Sequence, residues 1–176
     1  MSILANMMND AYNILHADEQ LLRLLYYPPT SIPNNQPNPL DESLPNLVVE
    51  QDITKTPTPE SLKMWEIINR HIERTSKSDD LENNYLCRIY LYAGKSRPHA
   101  TNKSTTRQEI VVDIFCHNSF SVDQRMERIG DRAHQLLMNN QVTGLGTIDY
   151  ANGYDFTAPK EYIAYRHIYQ VVRSKR

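Results

Sequence analysis

The chain has few of the residues on which many small-protein architectures depend. Its 176 residues include two cysteines, one tryptophan and five glycines, and its formal net charge is −2. Two cysteines cannot supply a four-thiolate metal site, and a near-neutral balance argues against nucleic-acid binding by overall electrostatics. No apolar run approaches the roughly 18 residues that a membrane span needs. We therefore expect a protein made and kept in the reducing cytoplasm, or in a particle assembled there, without a membrane partner.

Motifs for covalent catalysis and for phosphate binding are also missing. The chain contains neither a G-x-S-x-G turn nor a G-x-x-x-x-G-K-[ST] loop, and Gly144-Leu-Gly146 lacks the third glycine of a dinucleotide fingerprint. A zinc site could draw on Cys116, His117, His99 and His134. Adjacent residues of a strand point to opposite faces, so Cys116 and His117 cannot easily share one ion. The sequence therefore predicts no cofactor, and the cysteines are interpreted as small apolar core residues.

A metal-dependent nuclease is the enzyme class that the sequence leaves open. Its carboxylates would lie near strand ends, with a lysine assisting. The candidates are Glu109, Asp113 and Asp149, with Lys95 or Lys103. Alternation places Glu109 and Asp113 opposite the apolar side of their strand, where they more simply face solvent. We therefore predict that the protein is not an enzyme and binds no metal.

Proline and charge are distributed unevenly. Eight of the ten prolines lie between Pro28 and Pro59, which predicts an extended connector over residues 27–45. Residues 1–57 carry seven acidic residues against two basic ones, whereas residues 93–107 carry four basic residues and no acidic one. Those four are Lys95, Arg97, Lys103 and Arg107. Such polarity can bring unlike surfaces of neighbouring subunits together, although solvated surface explains it equally well.

Hydrophobic periodicity predicts two helical regions in the first half of the chain. Residues 2–25 carry an apolar stripe with a break near Asp18, which has the character of a second N-cap. This region would pack on its own core or on a neighbouring subunit. Thr58 and the proline after it predict the start of a helix that continues to about Arg74. Residues 46–53 are predicted as a short edge strand.

The best-ordered pattern lies in the middle of the chain. Residues 85–92 and 109–117 read as strands, and the loop of residues 93–107 should join them as an antiparallel hairpin. A capping box at Ser121 predicts the start of the next helix. Gly130 lies within that helix at a cost of about 1 kcal/mol relative to alanine. A close approach of the helix to the sheet would explain the glycine.

The last part of the chain predicts two more strands. They cover residues 142–150 and 162–172, with Asn152-Gly153 as a hairpin turn. The resulting order of helix, strand, strand, helix, strand, strand predicts an α+β fold, in which helices pack on one face of an antiparallel sheet. We expect one domain, divided into an N-terminal helix (1–26), a proline-rich connector (27–57) and an α+β core (58–176).

Several phrases of the sequence, in this order of elements, carry a resemblance to a known family. They are LLRLLYYPP, NYLCRIYLYAGKSRP, RQEIVVDIFCH, DQRMERIGDRAHQLL, VTGLG and YIAYRHIYQVV. The chain resembles the tail terminator, or head–tail joining, proteins of long-tailed bacteriophages over most of its length outside residues 29–84. Proteins of that family look like small α+β subunits of hexameric rings. The ring caps the head-proximal end of the tail tube and joins it to the connector at the head.

The resemblance implies a structural protein of the virion neck, assembled in the host cytoplasm. Its partners would be further copies of itself, a tail tube protein and a head-connector or stopper protein, with possible non-specific contact to DNA in a lumen. Expected interface residues are Lys95, Arg97, Lys103, Arg107, Tyr27, Pro28, Pro29, Arg173, Lys175 and Arg176. The connector and the helix after it are longer than in the family pattern. This difference leaves open another head-completion or neck adaptor protein, and a nuclease is a third alternative.

Overall fold

The protein is an α+β fold, as predicted, with its helices gathered on one side of a single sheet. A computed structural model describes residues 3–49, 57–75, 81, 86–98, 105–138, 140–142 and 146–174. The helices described are α1 (Ile3–His16), α2 (Glu19–Tyr26), α3 (Pro59–His71) and α4 (Arg125–Leu137). The strands are β1 (Ile72–Glu73), β2 (Cys87–Pro98), β3 (Thr105–His117), β4 (Gln141–Val142), β5 (Gly146–Asp155) and β6 (Tyr162–Ser174). In these ranges no helix has both the length and the apolar character that crossing a bilayer requires.

The sheet is built around β3. Its strand order is β1-β2-β3-β6-β5-β4, and its pairs are antiparallel except for the short parallel pair of β1 and β2. β3 pairs with β6 along its whole length, from Thr105 opposite Ser174 to His117 opposite Tyr162. Because side chains alternate along a strand, this register decides which residues of both strands face the helices.

The main core lies between the helices and one face of the sheet. Ile110, Val112, Ile114 and Cys116 all point to this side and are fully buried, as their alternation predicts. Burial of each large apolar side chain stabilises the fold by roughly 1.5–3 kcal/mol. Cys87 lies directly opposite Cys116, and both are free buried thiols. On the opposite face, which no helix covers within the described residues and which we call the helix-free face, a small apolar cluster lies at one end around Tyr90 and Phe115.

The N-terminal helices belong to this core. Leu15 of α1 is completely buried and Leu22 of α2 is 2% exposed, and both join the same apolar cluster as the sheet. The predicted break at Asp18 is confirmed, since its carboxylate caps α2 by accepting from the Leu21 N–H at 2.8 Å. The same carboxylate pairs with Arg132 of α4 at 2.6 Å. Of the two placements left open by the sequence, the structure shows packing on the chain's own core.

The proline-rich connector contains no regular helix over residues 27–49, as predicted, but it does not reach away from the domain. Arg23 of α2 donates to the carbonyl oxygens of Asp41 and Leu44, and the Tyr27 hydroxyl donates to the Pro45 carbonyl at 2.9 Å. Leu47 is 2% exposed and joins the core. The predicted edge strand is wrong for residues 46–49, and its remaining residues lie outside the described ranges.

Helix α3 starts where the sequence predicts and ends earlier. The Thr58 side chain accepts from the Ser61 N–H, which confirms the N-cap. The helix stops at His71 instead of Arg74 because the next two residues pair with β2 as β1. Burial lowers the pKa of His71 to about 4, so the ring is neutral at pH 7 and its Nδ1–H donates to the Cys87 carbonyl at 2.7 Å.

The hairpin of β2 and β3 is longer than predicted. β2 continues to Pro98 and β3 starts at Thr105, so the predicted loop of residues 93–107 is mostly strand. Gly94, Pro98 and the charged residues between them have low strand propensity. A register shift between Ala93 and Ser96 lets the pairing continue past Gly94, and a proline is tolerated at a strand end.

The capping box at Ser121 does not start helix α4. Residues Asn118–Asp123 form a 3-10 helix, and Gln124 adopts a left-handed conformation with φ 55° before the helix begins at Arg125. Arg125 is completely buried and donates to the carbonyls of Leu24 and Tyr27 at 2.6 and 2.7 Å. This tertiary contact with the end of α2 sets the helix start and overrides the local capping signal.

The final hairpin also differs from its prediction. Asn152 and Gly153 lie inside β5 instead of in a turn, and the connection to β6 is formed by residues 156–161. The predicted strand of residues 142–150 is divided between β4 and β5. A Cβ atom on Gly153 would lie 2.8 Å from Cε1 of Tyr165, so this glycine permits close packing instead of a turn.

The prediction of a close helix–sheet approach at Gly130 is confirmed. A Cβ atom at this position would lie 2.9 Å from Nε2 of His167 on β6. The His167 ring is held among the rings of Tyr150, Tyr165 and Tyr169, so it has little room to move away. The glycine therefore sets the distance between α4 and the sheet.

We predict that Gly130→Ala lowers the free energy of unfolding by about 1 kcal/mol, because an overpacking cost of about 1–3 kcal/mol exceeds the propensity gain of about 1 kcal/mol. In a His167→Ala background the same change should stabilise the protein, because the clash is gone. Urea unfolding of the four variants measures both effects. The same sign in both backgrounds would show that the His167 contact does not require the glycine.

Candidate functional site: the helix-free face of the sheet

The largest opening that we describe lies on the helix-free face of the sheet. We call it the basic groove; it is about 620 Å³ in volume. It is lined by Tyr92, Gly94, Lys95, Arg97, Arg107, Glu109, Val111, Ala151, Asn152, Tyr154, Arg166, Ile168 and Gln170. These side chains come from four strands, β2, β3, β5 and β6. The groove is therefore a surface of the sheet itself, fixed by strand register.

A backbone irregularity in β2 shapes one wall of the groove. At the register shift, the Lys95 N–H turns to donate to a Glu109 carboxylate oxygen at 2.9 Å. The Glu109 side chain crosses over Gly94, where a Cβ atom would lie 2.8 Å from Cβ of Glu109 and from Cγ2 of Val111. Gly94 thus provides the space in which the carboxylate reaches the β2 backbone.

Arginines from neighbouring strands face each other at the open end of the groove. Arg97 and Arg107 are directly opposite in the β2–β3 register. Like charges in this arrangement destabilise a sheet unless a negative group lies between them. Glu109 approaches Arg97 at 3.8 Å, but the Arg97 side chain is 64% exposed, so this pair contributes little. The end of the groove therefore keeps a positive potential suited to an anionic partner.

The floor of the groove is an ion pair between buried Asp113 and partly exposed Arg166. Arg166 donates to both carboxylate oxygens of Asp113, at 2.6 and 2.7 Å, and the Tyr92 hydroxyl donates to the same carboxylate at 2.8 Å. Asp113 is 4% exposed, which contradicts the prediction that it faces solvent. The hydrogen bonds that Arg166 donates to Asp113 raise the pKa of Arg166, and the nearby Asp113 charge adds to that effect. Burial raises the pKa of Tyr92, and the bond to Asp113 adds to that effect.

Three of the ten interface residues predicted from sequence come together in the groove: Lys95, Arg97 and Arg107. Arg173 lies in β6, and only its backbone is described; Lys103, Lys175 and Arg176 lie outside the described residues. Tyr27, Pro28 and Pro29 begin the connector and do not line the groove; Tyr27 packs against the core on the helix side, and Pro28 is exposed. The predicted interface is thus divided between at least two surfaces.

The sequence prediction missed Arg166, Tyr92 and Tyr154, and it assigned Asp113 to solvent or to a metal site. A partial signal was present for the ion pair, because Arg166 is the one Lys, Arg, Asp or Glu in the predicted strand of residues 162–172 and Asp113 lies among apolar residues. An acid and a base in such surroundings indicate that their strands are neighbours, because buried charges are paired. The tyrosines gave no signal, because tyrosines are frequent in β2, β5 and β6.

The alternative metal sites do not assemble within the part of the chain that the structure describes. No group of three or more histidine, cysteine, aspartate or glutamate side chains there has a metal-binding arrangement. Both Asp113 oxygens are used by Arg166, and Gln170 separates Glu109 from Asp149 across the sheet. Cys116 points toward the helices, whereas His117 packs on Tyr162. His99 is outside the described residues.

Comparison with known proteins gives a family. The YomW family model matches residues 18–171. The chain belongs to the YomW family. It is 30% identical over 180 residues to the SPbeta prophage-derived uncharacterized protein YomW of Bacillus subtilis (strain 168), and the match covers 99% of this chain and all of that protein. This supports the phage-derived origin implied by the sequence resemblance, whereas head–tail joining is not part of the YomW match.

We predict that Asp113→Asn lowers the free energy of unfolding by about 3 kcal/mol, because it leaves Arg166 without its counter-charge. Replacing both residues with apolar ones, as Asp113→Val with Arg166→Met, should cost less than Asp113→Asn alone. Asp149→Asn is the matched control, since this exposed carboxylate lies on neighbouring β5. Urea unfolding measures all three; a loss for Asp113→Asn no larger than the control's would contradict a structural role for the pair.

Proposed function

We propose that this YomW-family protein is a structural subunit of the virion neck, a tail terminator or tail-completion protein. In this role, copies form a ring that caps the tail tube and joins it to the head connector. The observation that carries the proposal is the basic groove: a sheet face that no helix of the described residues covers, whose positive residues come from several strands.

Charge distribution supports an assembly role. The helix side carries most of the acidic residues of the N-terminal region: between Ile3 and Val49 there are five acidic residues and one basic residue. The groove on the other side is lined by four basic residues and Glu109. A subunit with unlike opposite sides can repeat head to tail, which is the contact geometry that closes rings. The prophage origin of the Bacillus subtilis relative is consistent with a virion protein.

The proposal includes the remaining expectations from the sequence. The partners would be other copies of the chain, a tail tube protein and a head-connector or stopper protein, and DNA could pass through the ring. The chain would have no catalytic activity and no cofactor, and it would be located in the virion neck. Another head-completion or neck adaptor protein is the alternative, and it would share the ring-forming surface but occupy a different level of the neck.

We predict that replacing Lys95, Arg97, Lys103 and Arg107 with serine reduces the fraction of heads joined to tails at least about tenfold, because the groove loses its positive potential. The folded monomer should be preserved, since Lys95 and Arg97 are exposed and Arg107 is only partly buried. The measurement is electron microscopy of particles complemented with the variant, with circular dichroism and thermal unfolding of the purified protein. Normal joining by a folded quadruple variant would contradict the proposal.

A further inference from the structure

We propose that the basic groove of one copy receives the acidic corner of a second copy. The acidic corner is the exposed pair Asp41 and Glu42 in the connector. This inference deepens the proposed ring subunit by naming the contact between copies, and it rests on that proposed function. The partner is thus a second copy of this chain, engaged head to tail through carboxylates and guanidinium groups.

Hydrogen bonds within the chain fix the conformation of the acidic corner. Arg23, only 5% exposed, donates to the carbonyl oxygen of Asp41 and, at 2.7 Å, to that of Leu44. The Ser43 N–H donates to the Asp41 carboxylate at 2.9 Å, and its hydrogen bonds with Ser43 lower the pKa of Asp41. The corner is therefore both ordered and ionised. Such preorganisation lowers the entropic cost of association.

The corner and the groove of one chain lie on opposite sides of the molecule. The connector is anchored to α2 through Arg23, and α2 packs on α4. Helix α4 in turn packs on the helix-bearing face of the sheet, where Gly130 meets His167. The helix layer and the sheet therefore separate the corner from its own groove. Only another copy can bring the two surfaces together, and a heterologous contact of this kind repeats around a ring.

The chemistry of the two surfaces is complementary. Arg97 and Arg107 lie opposite each other on neighbouring strands and both line the groove, so one carboxylate of a partner can approach both guanidinium groups. Two adjacent acidic residues on the corner offer two such carboxylates. Arginine presents several N–H groups in a plane and binds carboxylates through paired hydrogen bonds. The groove thus has the donors, and the corner has the acceptors, of a charge-assisted contact.

A single-stranded nucleic acid fits the groove less well than a carboxylate pair. Strand binding without sequence preference uses successive aromatic rings on which bases stack. Here Tyr92 is hydrogen-bonded to Asp113, and the Tyr154 ring is approached by the Arg166 guanidinium, with 5.9 Å from its carbon to the ring centre. Glu109 also projects among the basic residues and would repel a phosphate. The groove favours a discrete acidic protein segment.

Charge reversal tests the contact directly. The groove variant is Arg97→Glu with Arg107→Glu, and the corner variant is Asp41→Arg with Glu42→Arg. We expect each alone to weaken self-association at low salt by at least about tenfold. An equimolar mixture of the two should recover association, because each variant keeps the native surface that the other lacks and their two reversed surfaces are also complementary in charge. The control, Glu66→Arg with Glu127→Arg, makes the same change in charge at exposed helix positions and should leave association unchanged. Sedimentation equilibrium of the full chain measures all of these.

Several outcomes would overturn the contact. They are a wild-type chain that stays monomeric at low salt, a corner variant that associates like the wild type, and a mixture that does not recover. Should the groove variant fail to fold by circular dichroism, Arg97→Ser with Arg107→Ser replaces it, and the corner variant must still fail to associate. Wild-type binding of an oligothymidine, lost in the groove variant while the corner variant associates normally, would assign the groove to nucleic acid instead.

The failure of this contact and the failure of the proposed function can be told apart. If the mixture of the two variants recovers self-association but particles carry the protein elsewhere than at the neck, the contact is correct and the neck function is wrong. If rings of the protein are present at the neck but the mixture of the two variants does not recover self-association, the function is correct and the contact is wrong.

Discussion

The register of β3 against β6 is the constraint on which the rest of the structure depends. Thirteen residues of β3 pair without interruption along β6. This pairing turns Ile110 and Val112 toward the helices and places Asp113 opposite Arg166 on the other face. A slip of one residue would exchange the two faces, bury Glu109 under the helices and expose the apolar row. The ion pair across the sheet and the apolar row under the helices favour the same register.

The same register gives the protein its unlike sides. The helices pack on one face, and the polar residues that the register assigns to the other face pair with each other, are solvated or can contact a partner. Near the centre they do so, through Asp113 and Arg166. Toward the end of the hairpin, Arg97 and Arg107 lie directly opposite each other, and Glu109 approaches the exposed Arg97 at 3.8 Å. The interior of this face is therefore structural, and its outer end is the part suited to assembly.

Local sequence patterns predicted the fold class and the helix faces, because the periodicity of apolar residues reports burial directly. They did not predict features set by contacts distant in sequence. Ser121 resembles a helix start, yet buried Arg125 binds carbonyls at the end of α2 and sets the start itself. The basic stretch reads as a loop because glycine and proline interrupt it, and only pairing with β3 makes it strand. Lys95, Arg97 and Arg107 were identified from their charge. Their meeting in one groove, and the Asp113–Arg166 ion pair at its floor, follow only from the sheet topology.

The role that we propose, a subunit of the virion neck whose helix-free sheet face contacts other subunits, can be tested directly. The most direct measurement is electron microscopy of assembled phage particles carrying a tagged copy of the chain. We predict tag density in a ring at the junction of head and tail, and tailless heads together with free tails when the protein is missing. Intact, joined particles that lack the protein would contradict the account.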